Sequence, residues 1–337
     1  MDMAEPRHFP LPRLAGELRL DEPMHRHTTW RTGGPAQRAY FPSDLQDLAR
    51  FLRALPATEP VQFVGLGSNL LVRDGGVRGT VVFTHGALKE VALSQHAEGF
   101  PLLYAQAGVA APKVSRFAAT HGLRRAEFLT GIPGTVGGAL AMNAGCYGSE
   151  TWDIVHMVLM VTRAGEIKRR APAEFDVSYR HVELKAPAGD QAEDASQVAS
   201  PGSRTAHPSL VTPSAEEFFA AAWFRLTPGD GDESRRVIKD LLQRRIASQP
   251  LGEPNAGSVF RNPPGDYAAR LIESCGLKGF AIGGAMVSPK HSNFIVNTGT
   301  ATSADIEALI GHVQATVQAR CGVLLAREVR IIGEAHA

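Results

Sequence analysis

Two stretches decide how this chain reads. Gly65-Leu66-Gly67-Ser68-Asn69-Leu70 follows the apolar run Val61–Val64, and Gly131-Ile132-Pro133-Gly134-Thr135-Val136-Gly137-Gly138 follows a helical pattern that ends at His121-Gly122. Glycine-rich loops beside strands and helices let backbone N–H groups approach phosphate oxygens. Neither loop fits a familiar template. The sixth position of the first is Leu70 where the dinucleotide fingerprint needs glycine, and the second lacks the Gly-Lys-Ser/Thr ending of a P-loop. A Rossmann domain and a P-loop NTPase are therefore disfavoured. Each loop alone also reads as ordinary turn glycines. Two in one region, with Thr32-Gly33-Gly34 as a third cluster, point to a ligand with a long phosphate-bearing body.

The chain has 337 residues, which predicts two domains or three, each able to bury its own core. Its 44% apolar and 20% charged residues are those of a folded globular protein. With 35 Lys and Arg against 34 Asp and Glu, the formal charge of +1 supplies no field for gathering nucleic acid or an anionic membrane. Anionic ligands must be held by local groups. The three cysteines, Cys146, Cys275 and Cys321, form no CxxC pair, so a reducing, cytoplasmic setting is expected. No apolar run is long enough to span a membrane, and the N-terminus lacks a signal-peptide core. The twelve histidines show no HExxH and no zinc-type spacing, so no metal is implied.

Along the chain, residues 1–27 read as a loosely attached extension rich in Pro and Arg. Ser43 offers an N-cap for a helix with Leu45, Leu48, Phe51, Leu52 and Leu55 at helical spacing. Pro112 suits a helix start, and strands on either side of Ala164-Gly165 read as a hairpin. Residues 186–214 hold four prolines and no aromatic residue, and read as a mobile insert in a domain spanning 28–228. A boundary near residue 229 starts a second domain, 229–337, whose final helix has a Thr302/Asp305 capping box and whose closing strand covers 323–332. Mixed strands and helices in both parts indicate α+β architecture.

The ordered set of motifs resembles the UDP-N-acetylenolpyruvoylglucosamine reductases. It comprises Arg31-Thr32-Gly33-Gly34, the two glycine loops with Asn143-Ala144-Gly145, Ser178-Tyr179-Arg180, the run from Asn255 through Gly257-Ser258 to Asn262-Pro263, His291 to Asn297, and Arg327-Glu328-Val329-Arg330. The resemblance implies an FAD-binding domain of the p-cresol methylhydroxylase and vanillyl-alcohol oxidase type, built of two α+β subdomains, followed by a smaller α+β substrate-binding domain. It implies non-covalent FAD, NADPH as co-substrate, and reduction of UDP-N-acetylglucosamine enolpyruvate to UDP-N-acetylmuramate for peptidoglycan. By the same resemblance Arg31, Thr32, Gly33, Gly65, Gly67, Ser68, Asn69, Leu70, Gly131, Ile132, Pro133, Gly134, Thr135, Gly137, Gly138 and Asn143 bind the cofactor, with the loops serving its pyrophosphate through backbone amides. Arg180, Ser258 and Glu328 match the family's catalytic positions, with the arginine on the substrate carboxylate, the serine as proton donor and the glutamate acting on the intermediate. Tyr179, Arg245, Asn255, Arg261 and Asn262 are expected to touch substrate.

Read without the resemblance, Arg180 is a solvated group at a strand end and Ser258 a turn serine. Glu328 beside Val329, Ile331 and Ile332 needs a partner, since an unpaired carboxylate in an apolar strand is costly. His291, Asn293 and Asn297 read as ligands or as satisfied polar groups at strand ends. The insert contains no tyrosine, which favours the branch of the family without a tyrosine-bearing loop. Small-molecule substrates are the expected partners, with no nucleic acid or membrane, and a monomer is expected. The competing readings are an FAD-dependent oxidase of the same fold class, told apart by its electron acceptor, and a non-catalytic nucleotide-sugar binder.

Overall fold

A computed structural model describes residues 14–185 and 217–336. The expected insert at 186–214 lies outside them, as do the first thirteen residues of the expected extension. The rest of that extension is part of the fold: Glu17–Pro23 is a strand paired antiparallel with Pro35–Phe41, and Met24 is fully buried. This strand lies at a sheet edge with its leucines, Leu18 and Leu20, facing solvent. Backbone hydrogen bonds hold it, so hydropathy carried no sign of it.

Pro35–Phe41, Val77–Phe83 and Val61–Val64 complete this first sheet in that order, in parallel. Helix α1 (Leu45–Ala54) covers it with the face expected, since Leu48, Phe51, Leu52 and Leu55 join Tyr40, Val82 and Phe218 in one core. Its cap is Asp44, not Ser43: the Asp44 carboxylate accepts from the Asp47 N–H at 2.7 Å, while the Ser43 hydroxyl donates to Asp44. The charged oxygen is the stronger acceptor at a helix N-terminus.

The second sheet has five antiparallel strands in the order Ile167–Arg170, Val155–Thr162, Glu217–Arg225, Pro101–Gln106 and Val91–Gln95. The expected hairpin around Ala164-Gly165 is its edge. Glu217–Arg225 is central and buried along most of its length, which accounts for its run of Phe and Ala. Helices α2 (Ala111–Thr120), with Pro112 in its first turn, and α3 (Val136–Ala141) pack here in a core with Leu103, Leu129, Val158 and Phe224.

Beyond these sheets come α4 (Gly231–Ser248), α5 (Ala268–Ser274), a three-stranded sheet of Ala281–Ile282, Ala285–Val287 and Ile295–Asn297, and α6 (Ser303–Cys321). The Thr302/Asp305 capping box opens α6 as read from the sequence. Helix α4 packs on α2 and on the 3-10 turn Glu127–Gly131, with Arg124 paired to Glu233 at 2.9 Å and the Ser234 hydroxyl donating to Glu127. The helix that follows the expected boundary near residue 229 thus packs against α2 and the 3-10 turn, elements that precede that boundary. The closing strand is also shorter than expected. Only Arg330–Ile332 is a strand, and it returns to pair parallel with Leu70–Val72 beside the first glycine loop.

Candidate active site

The two glycine loops face each other. A Cβ at Gly65 would collide with the Thr135 hydroxyl, so a larger residue there would oblige the Thr135 side chain to move. Gly134 lies opposite the Ser68 hydroxyl, and both loops line one cleft together with Arg180, Arg245, Ser258 and Glu328. Residues Leu70, Ile132, Pro133, Gly137 and Gly138 also line it. The Thr135 hydroxyl is buried in this wall and has no hydrogen-bond partner among the described residues. Such orphaned groups are rare in native structures, and this one fits an acceptor-rich ligand seated between the loops. Some backbone donors are already committed: the N–H groups of Ile132, Val136 and Gly137 donate to the carbonyls of Leu129, Val109 and Ala107.

The third glycine cluster does something else. Gly34 packs against the backbone of Asp74 and Gly33 against Val72, and the Thr32 hydroxyl meets that of Ser303 at 3.3 Å. Arg31, Thr32 and Gly33 do not line the cleft, and Gly33 and Gly34 stand where a Cβ would meet Val72 and the Asp74 backbone. Asn143 is also spent on structure. It is buried, donates to Glu150 at 2.6 Å and to the Ser178 carbonyl, and accepts from Trp152 N–H. Asn69 lines the cleft, yet its side-chain amide donates to the Glu328 carbonyl while its own carbonyl accepts from Arg330 N–H. It laces the first loop to the C-terminal segment.

Arg180 lies in the two-residue turn between strands Phe175–Ser178 and His181–Leu184, with φ 57°. This left-handed conformation is strained for a side chain-bearing residue and is held from several directions. Arg180 Nε donates to Glu328 Oε1 at 2.7 Å, and Nη1 and Nη2 donate to the carbonyls of Asn143 and Gly145, each at 3.3 Å. Arg261 Nη2 donates back to the Arg180 carbonyl, and the guanidinium of Arg180 lies over the ring of Tyr179. Glu328 is not inside the closing strand but just before it, where its N–H donates to the Val259 carbonyl at 2.8 Å. Burial raises its carboxyl above the ordinary value, and the charges of Arg180 and then Arg261 pull against that rise. Ser258 precedes the Val259 that carries this bond, so serine and glutamate reach the cleft on adjacent backbone.

The expected substrate residues divide. Arg245 lines the cleft; Tyr179, Asn255, Arg261 and Asn262 do not. Asn255 shapes its own turn, donating to the Pro250 and Glu253 carbonyls and accepting from Gly257 N–H. Asn262 accepts from Ala268 N–H at the start of α5. Tyr179 and Arg261 support Arg180 from behind. Asn293 and Asn297 resolve to structure, bonded to the backbone of Phe260 and of Trp30, Gly299 and Ala301. Cys146 lines the cleft, but its thiol donates to the Phe128 carbonyl and burial pushes it up to about 11, so it stays neutral and unreactive. Gln249, which the sequence gives no role, lines the cleft directly after α4. A polar residue at a helix end gives no local sign of which way it faces.

Comparisons with known proteins agree with this arrangement. The FAD binding domain family matches residues 36–170, and the family described as UDP-N-acetylenolpyruvoylglucosamine reductase, C-terminal domain, matches residues 249–332. The chain is 55% identical over 332 residues to the UDP-N-acetylenolpyruvoylglucosamine reductase of Thiobacillus denitrificans, covering 96% of this chain and 94% of that one. It is 58% identical over 322 residues to the reductase of Nitrosospira multiformis, covering 95% and 90%. The crystal structure of UDP-N-acetylenolpyruvylglucosamine reductase from Thermus caldophilus superposes with a TM-score of 0.71 at 28% identity, over 95% of this chain and 100% of that one. With a match to this family's C-terminal domain and relatives more than half identical along nearly the whole chain, the protein belongs to the UDP-N-acetylenolpyruvoylglucosamine reductase family.

Proposed function

We propose that the cleft reduces the enolpyruvyl double bond of UDP-N-acetylglucosamine enolpyruvate, giving UDP-N-acetylmuramate for peptidoglycan synthesis, with Arg180, Ser258 and Glu328 as its catalytic residues. The observation that carries this reading is the meeting of Arg180, Ser258 and Glu328 in the same cleft as the two glycine loops. FAD fits those loops: the orphaned Thr135 hydroxyl and the glycine-lined walls suit a pyrophosphate-bearing group. When bound, FAD supplies a two-electron relay between NADPH and the terminal carbon of the enolpyruvyl group.

The protein handles the charge and the proton. Hydride arriving at the terminal carbon leaves the neighbouring carbon as an enolate conjugated with the substrate carboxylate, a doubly anionic array. Arg180, fixed by its strained turn and by Glu328, holds the carboxylate and the developing charge; a guanidinium fork suits both. Ser258 donates a proton to the enolate carbon, whose basicity makes an alcohol sufficient. Glu328 keeps Arg180 oriented and acts on the intermediate beside it. We take one copy of the chain as the working unit, because every assigned residue comes from it, and the cytoplasm as its setting, because its nucleotide substrates and free thiols suit a reducing compartment. Among the described residues no helix is long and apolar enough to cross a membrane.

The test is an anaerobic titration of the purified protein. NADPH is expected to bleach the bound flavin and the enolpyruvyl nucleotide sugar to restore its colour; colourless protein, or reduced flavin that ignores this substrate and reoxidises rapidly in oxygen, overturns the proposal.

A further inference from the structure

Arg245 presents an unbalanced charge to the cleft. It sits in the last turn of α4, and burial lowers the pKa of its guanidinium, the sign of a desolvated cation. Among the described residues no carboxylate pairs with it. Its nearest polar neighbours are neutral and otherwise engaged: the Tyr147 hydroxyl donates to the Leu241 carbonyl at 2.8 Å, and the Cys146 thiol to the Phe128 carbonyl at 3.0 Å. Among the described residues one side-chain acceptor reaches the guanidinium, Gln249 Oε1, 2.8 Å from Nε. The backbone N–H of Gln249 also donates to the Arg245 carbonyl, so the two residues are tied twice across the helix end. A partly buried cation with no counter-charge beside it is one that an anionic ligand in the cleft can balance.

We infer that Gln249 is a specificity-determining positioning residue, whose neutral amide holds the Nε edge of Arg245 and leaves the Nη edge for a phosphate of the nucleotide substrate. The inference rests on the proposed reaction, whose substrate carries a diphosphate. Its physical content is the neutrality of the clamp. Glutamine and glutamate have nearly the same shape, but a carboxylate four residues beyond Arg245 would form an ion pair within the helix end, neutralise the guanidinium and compete with the incoming phosphate. The amide orients the arginine and leaves its charge in place.

The test uses the full chain carrying its flavin, with UDP-N-acetylglucosamine as the binding probe in calorimetry and steady-state kinetics on the enolpyruvyl substrate. Gln249→Glu is expected to weaken probe binding and raise KM by about tenfold, with kcat and flavin content retained. Gln249→Leu, which removes the clamp and adds no charge, is expected to weaken binding by about threefold. In an Arg245→Gln background, Gln249→Glu is expected to have no further effect, because the charge it neutralises is gone. A Gln249→Glu protein that binds the probe as wild type does, or that loses as much affinity without Arg245 as with it, overturns the inference. Wild-type protein that fails to bind the probe overturns the proposed function as well, so the two failures are distinct.

Discussion

At the scale of single residues, the site is a set of strained or desolvated groups holding one another in place. Ser258 does its work through one proton, so Ser258→Ala is expected to lower kcat by about 100-fold or more while NADPH still reduces the flavin at its normal rate. Separate stopped-flow measurement of the two half-reactions checks this, and unimpaired substrate reduction would remove Ser258 as the donor. Glu328 makes a statement about pH. Its folded-state pKa is raised above the unfolded value, so the native state binds the extra proton more tightly, and the stability this contributes is lost as pH rises through the raised pKa. Denaturant unfolding of wild type and Glu328→Gln across about pH 4 to 7 should therefore show wild type losing ground to the variant as pH rises. Parallel curves would mean that Arg180 fully offsets the burial. The sequence marked Arg180 and Ser258 only through their joint resemblance, and Glu328 also through its carboxylate beside apolar residues. Nothing local told that Asn143, Asn255 and Asn262 are consumed by backbone turns, because an asparagine looks the same whether its amide faces a ligand or its own chain.

At the scale of elements, the loops matter through what they touch. Gly65→Ala places a methyl group against the Thr135 side chain, in the gap between the two glycine loops. The expected outcome is a protein that folds yet purifies with little flavin, read from the visible absorbance per polypeptide; full flavin content would show that the loops give way without loss. Helix α6 offers a separate check. The Thr302 hydroxyl accepts from the Asp305 N–H at 3.1 Å, so Thr302→Ala should cost about 1 kcal/mol in denaturant unfolding and leave activity unchanged. Helices α1, α2 and α6 were legible because amphipathic spacing, a proline in the first turn and a capping box are local signals. The edge strand Glu17–Pro23 was not legible, since its backbone pairs while its side chains face water.

Across the whole molecule, the chain is stitched end to end. Trp30, near the start, is fully buried in the core of α5 and α6, and its Nε1 donates to the Ile295 carbonyl at 2.8 Å. Strand Arg330–Ile332 returns to pair beside the first glycine loop. Trp30→Ala should therefore cost about 3–5 kcal/mol and weaken flavin retention and substrate binding together. Calorimetry that shows only the C-terminal unit melting earlier, with flavin release unchanged, would break that coupling.

By itself, the sequence determined the α+β class, the two glycine loops and, through several motifs in one order, the family and its flavin. These depend on short runs of residues whose spacing is fixed by the chain. Tertiary structure alone decided that Gly33 and Gly34 pack against Val72 and Asp74, that α4 packs on α2, and that the Gln249 amide meets Arg245. Each of these is a meeting of distant segments or a choice of facing direction, and neither is written into the local pattern of residues.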